Sequence, residues 1–318
     1  MRVGILTSGG DCQGLNGAMY GLVKALNFNC KEKLEIYGIL EGYTGLINGN
    51  YKKMKSEEFE GILNMGGSIL GNSRQPFKRI NDADENGVTK LQSMIKNYKN
   101  MDLDCLVVLG GNGSHKTANL LSEQGLNVVT LPKTIDNDIN GTEMTFGFQS
   151  AIDIATRTLE ELHTTAKSHK RIIIDEIMGN KAGFLTLYSG IAGEADIILI
   201  PEIPYSIDKI VDFINKKLDE GRRHIIIAAA EGIISKDESK LTKKELKQKR
   251  AAENYTSAAV YLEKKLSEKI NREIRAVVPG HIQRGGSPCA YDKVLTSRLG
   301  AKGAELIQIK NMEKWWLL

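Results

Sequence analysis

Cysteine is scarce, with four residues in a chain of 318. Cys12, Cys30, Cys105 and Cys289 lie far apart and form no Cys-x-x-Cys pair, which argues against a structural zinc site and a disulfide framework. A reducing cytoplasm is the expected compartment. No run approaches the roughly 20 apolar residues of a membrane-spanning helix. The N-terminus passes from Met1 into a short apolar strand and then into glycines, without the longer apolar stretch of a secretory signal. An excess of one charge is also lacking: a formal +4, spread among many Lys, Glu and Asp, gives no support to nucleic-acid or membrane-surface binding. The glycines match neither the Walker A pattern nor the dinucleotide G-x-G-x-x-G, so both common nucleotide folds are disfavoured. Repeats at solenoid spacing and low-complexity tracts are missing as well.

What the chain does have is alternation. Short apolar runs recur at Val3 to Thr7, Leu34 to Leu40, Cys105 to Leu109, Val128 to Leu131, Ile172 to Asp175, Ile197 to Ile200, His224 to Ala229 and Ile274 to Val278, with amphipathic stretches between them. Strands alternating with helices imply a parallel sheet covered on both faces, and the nearly unbroken apolar character of several runs is what burial on two faces requires. The expected fold is therefore α/β and doubly wound. At this length two lobes are expected rather than one core. Lys236 to Ile270 is dense in Lys and Glu, with Leu246, Ala259, Leu262 and Leu266 at helical spacing, and is expected to be a solvated helical excursion. The C-terminal Lys314-Trp315-Trp316-Leu317-Leu318 is expected to pack or to be disordered, without carrying chemistry.

Ligands of such folds bind beyond the carboxyl ends of the strands, and those positions are rich in glycine and polar side chains. Thr7-Ser8-Gly9-Gly10-Asp11 and Gly110-Gly111-Asn112-Gly113-Ser114 each stand between a strand and a helix, where backbone N–H groups and a helix N-terminus favour phosphate. One such loop is ordinary turn chemistry; two on one sheet point to a polyphosphate ligand. Lys133-Thr134-Ile135-Asp136-Asn137-Asp138 places two carboxylates directly after a buried strand. A hydroxyl attacking phosphorus must lose its proton, and one carboxylate can take it while the other faces a metal or orients the first; an Asx-turn is the commoner use of acidic loop residues. Arg171, Arg275, His281 and Arg284 follow other strands, and clustered they would clamp a phosphate. Glu231 stands at a strand end, placed to accept hydrogen bonds from sugar hydroxyls or to cap a helix.

Together these residues resemble the phosphofructokinase family, from the first strand through about Gly303. The motifs that carry the resemblance are Leu6-Thr7-Ser8-Gly9-Gly10-Asp11, Gly42-Tyr43-x-Gly45-Leu46, Gly110-Gly111-x-Gly113-Ser114, Pro132-x-Thr134-Ile135-Asp136-Asn137-Asp138, Ile200-Pro201-Glu202 and Gly280-His281-Ile282-Gln283-Arg284-Gly285-Gly286-Ser287-Pro288. The resemblance implies a two-lobed sandwich of mostly parallel sheets with helices on both faces. Residues 1–147 with 283–310 would be the nucleotide-binding lobe, 148–282 the sugar-phosphate lobe and 311–318 a tail, with the site in the cleft. It further implies that Asp136 deprotonates the C1 hydroxyl of fructose 6-phosphate, with Thr134, Asp138 and Lys133 beside the transferring group. Gly10, Tyr43, Arg74, Gln75, Gly111, Asn112, Gly113 and Ser114 would line ATP. Thr134, Asp136, Arg171, Met178, Gly179, Asn180, Glu231, Arg275, His281 and Arg284 would hold the sugar phosphate, the counterparts of Arg171 and Arg275 reaching in from a neighbouring subunit of a homo-oligomer, a dimer of dimers. Mg²⁺ is the implied cofactor, with Asp138 and Asn112 as its candidate ligands.

Departures from the family pattern sharpen these expectations. Asn112 stands where the family has a metal-binding aspartate and offers only a neutral oxygen. Asn180 replaces an arginine that neutralises transition-state charge. Tyr20 and Lys24 replace effector-binding arginines, so control by nucleoside diphosphate or phosphoenolpyruvate is expected to be weak or absent. The chain is also expected to stop before the family's last strand and helix. For the donor, Gly113 leaves room for the α-phosphate and ribose of ATP, where pyrophosphate users carry an aspartate; Lys133 points instead to pyrophosphate. The steric argument favours ATP. A catalytically weak sugar-phosphate or nucleotide sensor is the alternative of another class.

Overall fold

The computed structural model describes residues 1–30 and 33–308. The expectation for the tail at 311–318 falls outside them. The chain divides into two compact units, residues 1–150 with the chain from Arg284 onward, and Ala151–Gln283.

Among the described residues the first unit is built on a six-stranded sheet of order β3-β2-β1-β4-β5-β6, with β1 at Arg2–Thr7, β2 at Glu35–Ile39, β3 at Tyr51–Met54, β4 at Cys105–Gly110, β5 at Val128–Thr134 and β6 at Phe146–Gly147. All neighbouring pairs are parallel except β2 with β3. Its helices are α1 (Leu15–Asn29), α2 (Gly42–Asn48), α3 (Lys90–Asn100) and α4 (Asn112–Glu123), and the start of α5 (Phe148–His169) also belongs to it. β4 is buried at every residue, the consequence of helices on both faces. One side of the sheet packs Leu6, Leu106 and Val108 against Tyr43, Leu46, Met94, Tyr98, Ala118 and Leu121.

The second unit holds a parallel four-stranded sheet of order β10-β7-β9-β8 among the described residues: β7 is Ile172–Ile177, β8 Ile197–Leu199, β9 Ile225–Ala230 and β10 Ile274–Val277. The helices α6 (Phe184–Ala192), α7 (Ile207–Asp219), α8 (Lys243–Ala252) and α9 (Ala258–Ser267) belong to it. The chain returns to the first unit with α10 (Ala290–Gln308), which packs along α1.

The expected α/β architecture is thus present, and the apolar runs become the strands they suggested. The charged excursion is only half as expected. α8 buries no residue, but α9 puts Ala258, Ala259, Leu262 and Leu266 into the apolar core on the sheet. It is a core helix, and density of charge along the sequence hid its inner stripe. On α1, the Lys24 ammonium donates to the Tyr20 hydroxyl at 3.0 Å.

Candidate active site

Three loops leave the carboxyl ends of the adjacent parallel strands β1, β4 and β5, and the sheet order alone brings them together. The first is the turn Ser8 to Gly14. Gly9 has φ of 90° and Gly14 likewise, backbone that a side chain would strain. The Gly9 N–H is already used, donating to the Ser73 carbonyl at 3.0 Å. This bond draws in the segment that carries Arg74 and Gln75. The Thr7 hydroxyl fastens the same segment through the Gly71 carbonyl at 2.8 Å. A Cβ on Gly10 would stand 3.0 Å from Arg284 Cζ and 3.3 Å from Arg74 Nη2. Gly10 is therefore the point where two guanidinium groups meet the turn.

The second loop is the first turn of α4. Gly111 is its N-cap and Asn112, Gly113 and Ser114 follow, with no acidic residue in the turn. Its unpaired N–H groups and the positive helix end form an anion site. The His115 ring nitrogen Nε2 bonds the Gly110 carbonyl at 2.8 Å; a carbonyl only accepts, so this nitrogen carries the proton. The half-buried imidazole has its pKa lowered by that burial. Tyr43, expected to line the nucleotide, is fully buried, and its hydroxyl donates to the Ser114 carbonyl at 2.9 Å. It supports the turn from behind. A Cβ on Gly113 would meet no atom within 4 Å, so the space beside it is open.

The third loop carries the carboxylates. The Asp136 N–H donates to Thr134 Oγ1 at 3.1 Å. Asn137 takes a left-handed φ of 50°, and its Oδ1 accepts from the Thr145 N–H at 2.8 Å. The Thr145 hydroxyl closes the loop on the Thr134 carbonyl at 2.8 Å. Asp136 is half-buried and Asp138 exposed. The Lys133 side chain turns inward, 3% exposed, and its ammonium donates to the Gly10 carbonyl. Burial lowers its pKa and the Arg284 charge lowers it further, while Cys12, Asp136 and Asp11 pull the other way. A Cβ on Gly9 would lie 3.5 Å from Lys133 Nζ and 3.9 Å from Ser114 Oγ, and one on Gly111 would lie 3.5 Å from the Lys133 carbonyl. All three loops are thus in mutual contact.

Asn112 Nδ2 donates to Asp138 at both its carboxylate Oδ2 (2.9 Å) and its carbonyl (3.1 Å). Among the described residues no group of three or more His, Cys, Asp or Glu is arranged to hold a metal ion. One carboxylate beside one amide is too thin a donor set for a resident Mg²⁺, but it fits an ion that arrives on a nucleotide and keeps phosphate and water ligands.

In the second unit, the turn after β7 is Met178-Gly179-Asn180. Glu231, at the end of β9, accepts from the N–H groups of Gly179 (3.2 Å) and Asn180 (2.6 Å) through Oε1. The Met178 N–H donates to Gln283 Oε1 at 3.0 Å. Asn180 holds a left-handed φ of 53°. Arg171 and Arg275 converge on Glu273, at 2.7 Å and 2.6 Å. Those bonds, Arg171 first, hold the Glu273 carboxyl below its ordinary range. His281 is exposed. Arg284 belongs to the first unit and packs on Gly10, while Arg171, Arg275 and His281 belong to the second. Sequence reasoning did not single out Gln13, His115, Asn137, Thr145 or Glu273. Asn137 alone had a local signal, since Asn tolerates a left-handed turn.

The family model for phosphofructokinase matches residues 2–307. The chain is 48% identical over 307 residues to an ATP-dependent 6-phosphofructokinase of Spirochaeta thermophila, spanning 96% of this chain and 83% of that protein. It is 43% identical over 312 residues to ATP-dependent 6-phosphofructokinase 3 of Bacteroides thetaiotaomicron, with 96% and 85% covered. Among solved structures, phosphofructokinase from Saccharomyces cerevisiae superimposes with a TM-score of 0.80 at 28% identity, over 98% of this chain but 42% of the yeast chain, so the chain spans less than half of that one. A pyrophosphate-dependent phosphofructokinase from Marinobacter aquaeolei, at 19% identity and a TM-score of 0.77 over 96% of this chain and 76% of that one, shares the fold. Matched by the family model over nearly its whole length and by relatives at more than 40% identity, the chain belongs to the phosphofructokinase family.

Proposed function

We propose that this chain transfers the γ-phosphoryl group of ATP to the C1 hydroxyl of fructose 6-phosphate, producing fructose 1,6-bisphosphate and ADP in glycolysis. One observation carries the reading: a helix N-terminus, a glycine turn ringed by cations and a half-buried carboxylate meet at one end of a parallel sheet. Phosphoryl transfer asks chiefly for positioning and for charge stabilisation, and this arrangement supplies both. The N–H groups of Gly111 to Ser114 cradle donor phosphates, and Gly10 with Arg74 approaches the terminal one. Asp136 accepts the C1 hydroxyl proton as that oxygen forms its bond to phosphorus; the bond from phosphorus to the β,γ-bridging oxygen breaks, and ADP leaves with the electron pair. Thr134 and Asp138 flank the transfer. Asp138, with the Asn112 amide beside it, would hold a nucleotide-borne Mg²⁺, which when bound would neutralise phosphate charge. In the second unit Met178, Gly179, Glu231 and His281 serve the sugar, with Glu231 Oε1 holding the turn and Oε2 left to face a hydroxyl.

ATP is the donor in this reading because the space at Gly113 is open and the relatives bear ATP-dependent names. Lys133 does not oppose it: its ammonium is turned beneath the glycine turn, bonded to the Gly10 carbonyl. Arg171 and Arg275, exposed or nearly so and sharing one carboxylate, are assigned to a neighbouring subunit's sugar phosphate, which makes the active form a homo-oligomer. A matrix of ATP or pyrophosphate against fructose 6-phosphate or sedoheptulose 7-phosphate, run with Mg²⁺ and with a chelator, tests the assignment. Turnover with ATP, fructose 6-phosphate and Mg²⁺ is expected. Turnover with pyrophosphate alone, or with neither donor, overturns it.

A further inference from the structure

The formal charge of the chain is small, but it is concentrated in one place. Between Lys236 and Arg250 seven residues are Lys or Arg and three are Asp or Glu, an excess of four that equals the +4 of the entire chain, so the rest of the sequence is balanced. The three acids are already committed. Glu238, 2% exposed, holds Arg250 at 2.9 Å, Asp237 holds Lys240 at 3.1 Å, and Glu245 accepts from the Thr242 N–H at 2.8 Å as half of a capping box. Lys243, Lys244 and Lys247 are exposed and make no ion pair among the described residues. Lys243 and Lys247 stand four apart on α8, a like-charge spacing that weakens a helix, and α8 buries no residue that would offset it. A cavity of about 460 Å³ opens along this face, lined by Lys243, Leu246, Lys247, Arg250, Ala251 and Tyr255, a volume in the range of ligand pockets. Its shape is set in advance: the Arg250 guanidinium lies 4.2 Å from the Tyr255 ring centre and donates to the Ile233 carbonyl at 2.9 Å. The Tyr255 hydroxyl is itself buried without a hydrogen-bond partner among the described residues. A fixed Tyr and Arg beside a Leu are the kinds of side chain that anchor protein partners.

We propose that the groove on α8 docks an acidic segment of a partner protein, with carboxylates set against Lys243 and Lys247 and an apolar side chain against Leu246, Ala251 and Tyr255. Charge complementarity selects the acid, since the ammonium groups on the rim have no counter-charge of their own. The lining selects polypeptide over other polyanions. Nucleic-acid strands are held by open aromatic faces on which bases stack, whereas the Tyr255 ring is covered by Arg250 and has the Tyr261 ring centre 5.3 Å away. Anionic membranes are held by a broad apolar helix face, and α8 offers only Leu246, Ala251 and Ala252. The groove lies wholly within the second unit and contains no residue assigned to the reaction, so docking does not depend on the chemistry read from the strand ends.

Fluorescence anisotropy of a fluorescein-labelled peptide in which glutamates four apart flank a leucine, titrated with the full chain, tests the proposal. Saturable binding is expected, weakening as salt is added. Polyglutamate of equal charge should bind about threefold or more weakly, for want of the apolar anchor. The double variant Lys243→Glu with Lys247→Glu should lose about tenfold or more in affinity, because attraction becomes repulsion, and should instead bind a peptide carrying lysines in place of the glutamates. Lys96→Glu with Lys99→Glu, on the exposed side of α3, makes the same change in net charge elsewhere and should leave the affinity within about twofold. Turnover should stay at the wild-type level in both double variants. Should the α8 double variant fail to melt cooperatively by circular dichroism, Lys243→Gln with Lys247→Gln carries the same comparison. No saturable binding, equal losses in the two double variants, or polyglutamate binding as tightly as the peptide would overturn the proposal. So would duplex DNA or phosphatidylserine vesicles displacing the peptide more strongly than the unlabelled peptide does.

Discussion

At Asp175, in the middle of β7, the chain keeps a carboxylate that is 1% exposed and has neither oxygen hydrogen-bonded. Its strand neighbours in register are Ala228 and Val277, both apolar. Burial raises its pKa from the ordinary 3.8 to about 8, and the adjacent Glu176 charge adds to the rise. The folded state thus favours the neutral acid. Its contribution to stability is complete below pH 3.8 and is lost as the pH climbs toward 8, by at most about 1.4 kcal/mol per pH unit. Asp175→Asn cannot ionise, so its melting temperature relative to wild type should rise steadily between pH 5 and pH 8. A difference independent of pH would show that the carboxylate is solvated or paired. At the reacting centre, Asp136→Asn is expected to lower kcat about 10²- to 10⁴-fold, the usual contribution of a general base, with both KM values little changed. Near-normal turnover would remove Asp136 from that role. Gly113→Asp is expected to fold normally, since nothing stands within 4 Å of the new Cβ, while ATP use falls by about tenfold or more through charge repulsion and lost space. Undiminished ATP turnover would refute the steric account of donor choice.

Elements decide whether those residues meet. The glycine loops and the acid loop were legible in the sequence because a run such as Val107-Val108-Leu109, or Ile225 to Ala230, has no polar face and must be buried on both sides; the positions after it are then where ligands bind. β3 was not legible, since Tyr51-Lys52-Lys53-Met54 is a polar antiparallel edge whose lysines guard against further pairing. β6 is two residues long and carries no pattern at all. The supports of the site, Gln13, His115 and Glu273, act through partners distant in sequence or through a carbonyl next door, and no local pattern marks them. Tyr43 was misjudged for the same reason: its motif was visible, but its direction into the core depends on α2 packing against β1. The pair α1 and α10 supplies the element-scale test. A Cβ on Gly21 would lie 2.6 Å from the Ser297 carbonyl oxygen and 2.8 Å from its Cα, and backbone cannot yield as a side chain can. Gly21→Ala should therefore lose about 1–3 kcal/mol by urea denaturation, the usual penalty of overpacking, despite the better helix propensity of alanine. Unchanged stability would mean that the two helices are less closely seated.

For the molecule as a whole, the proposed reaction assigns the chemistry to loops of one unit and sugar recognition to the other. The glycine and acid loops leave strand ends of the six-stranded sheet, and the Met178 turn and Glu231 stand at strand ends of the four-stranded one. The Asn112 amide bonded directly to the Asp138 carboxylate joins the second and third loops. Phosphorus NMR of one mixture of the enzyme, ATP, Mg²⁺ and fructose 6-phosphate tests the central claim most directly. The account predicts that the γ-phosphate signal is replaced, in equal amount, by a second sugar phosphate ester at C1 beside the one at C6. Loss of the γ-phosphate as free phosphate alone, or a spectrum that does not change, would contradict it.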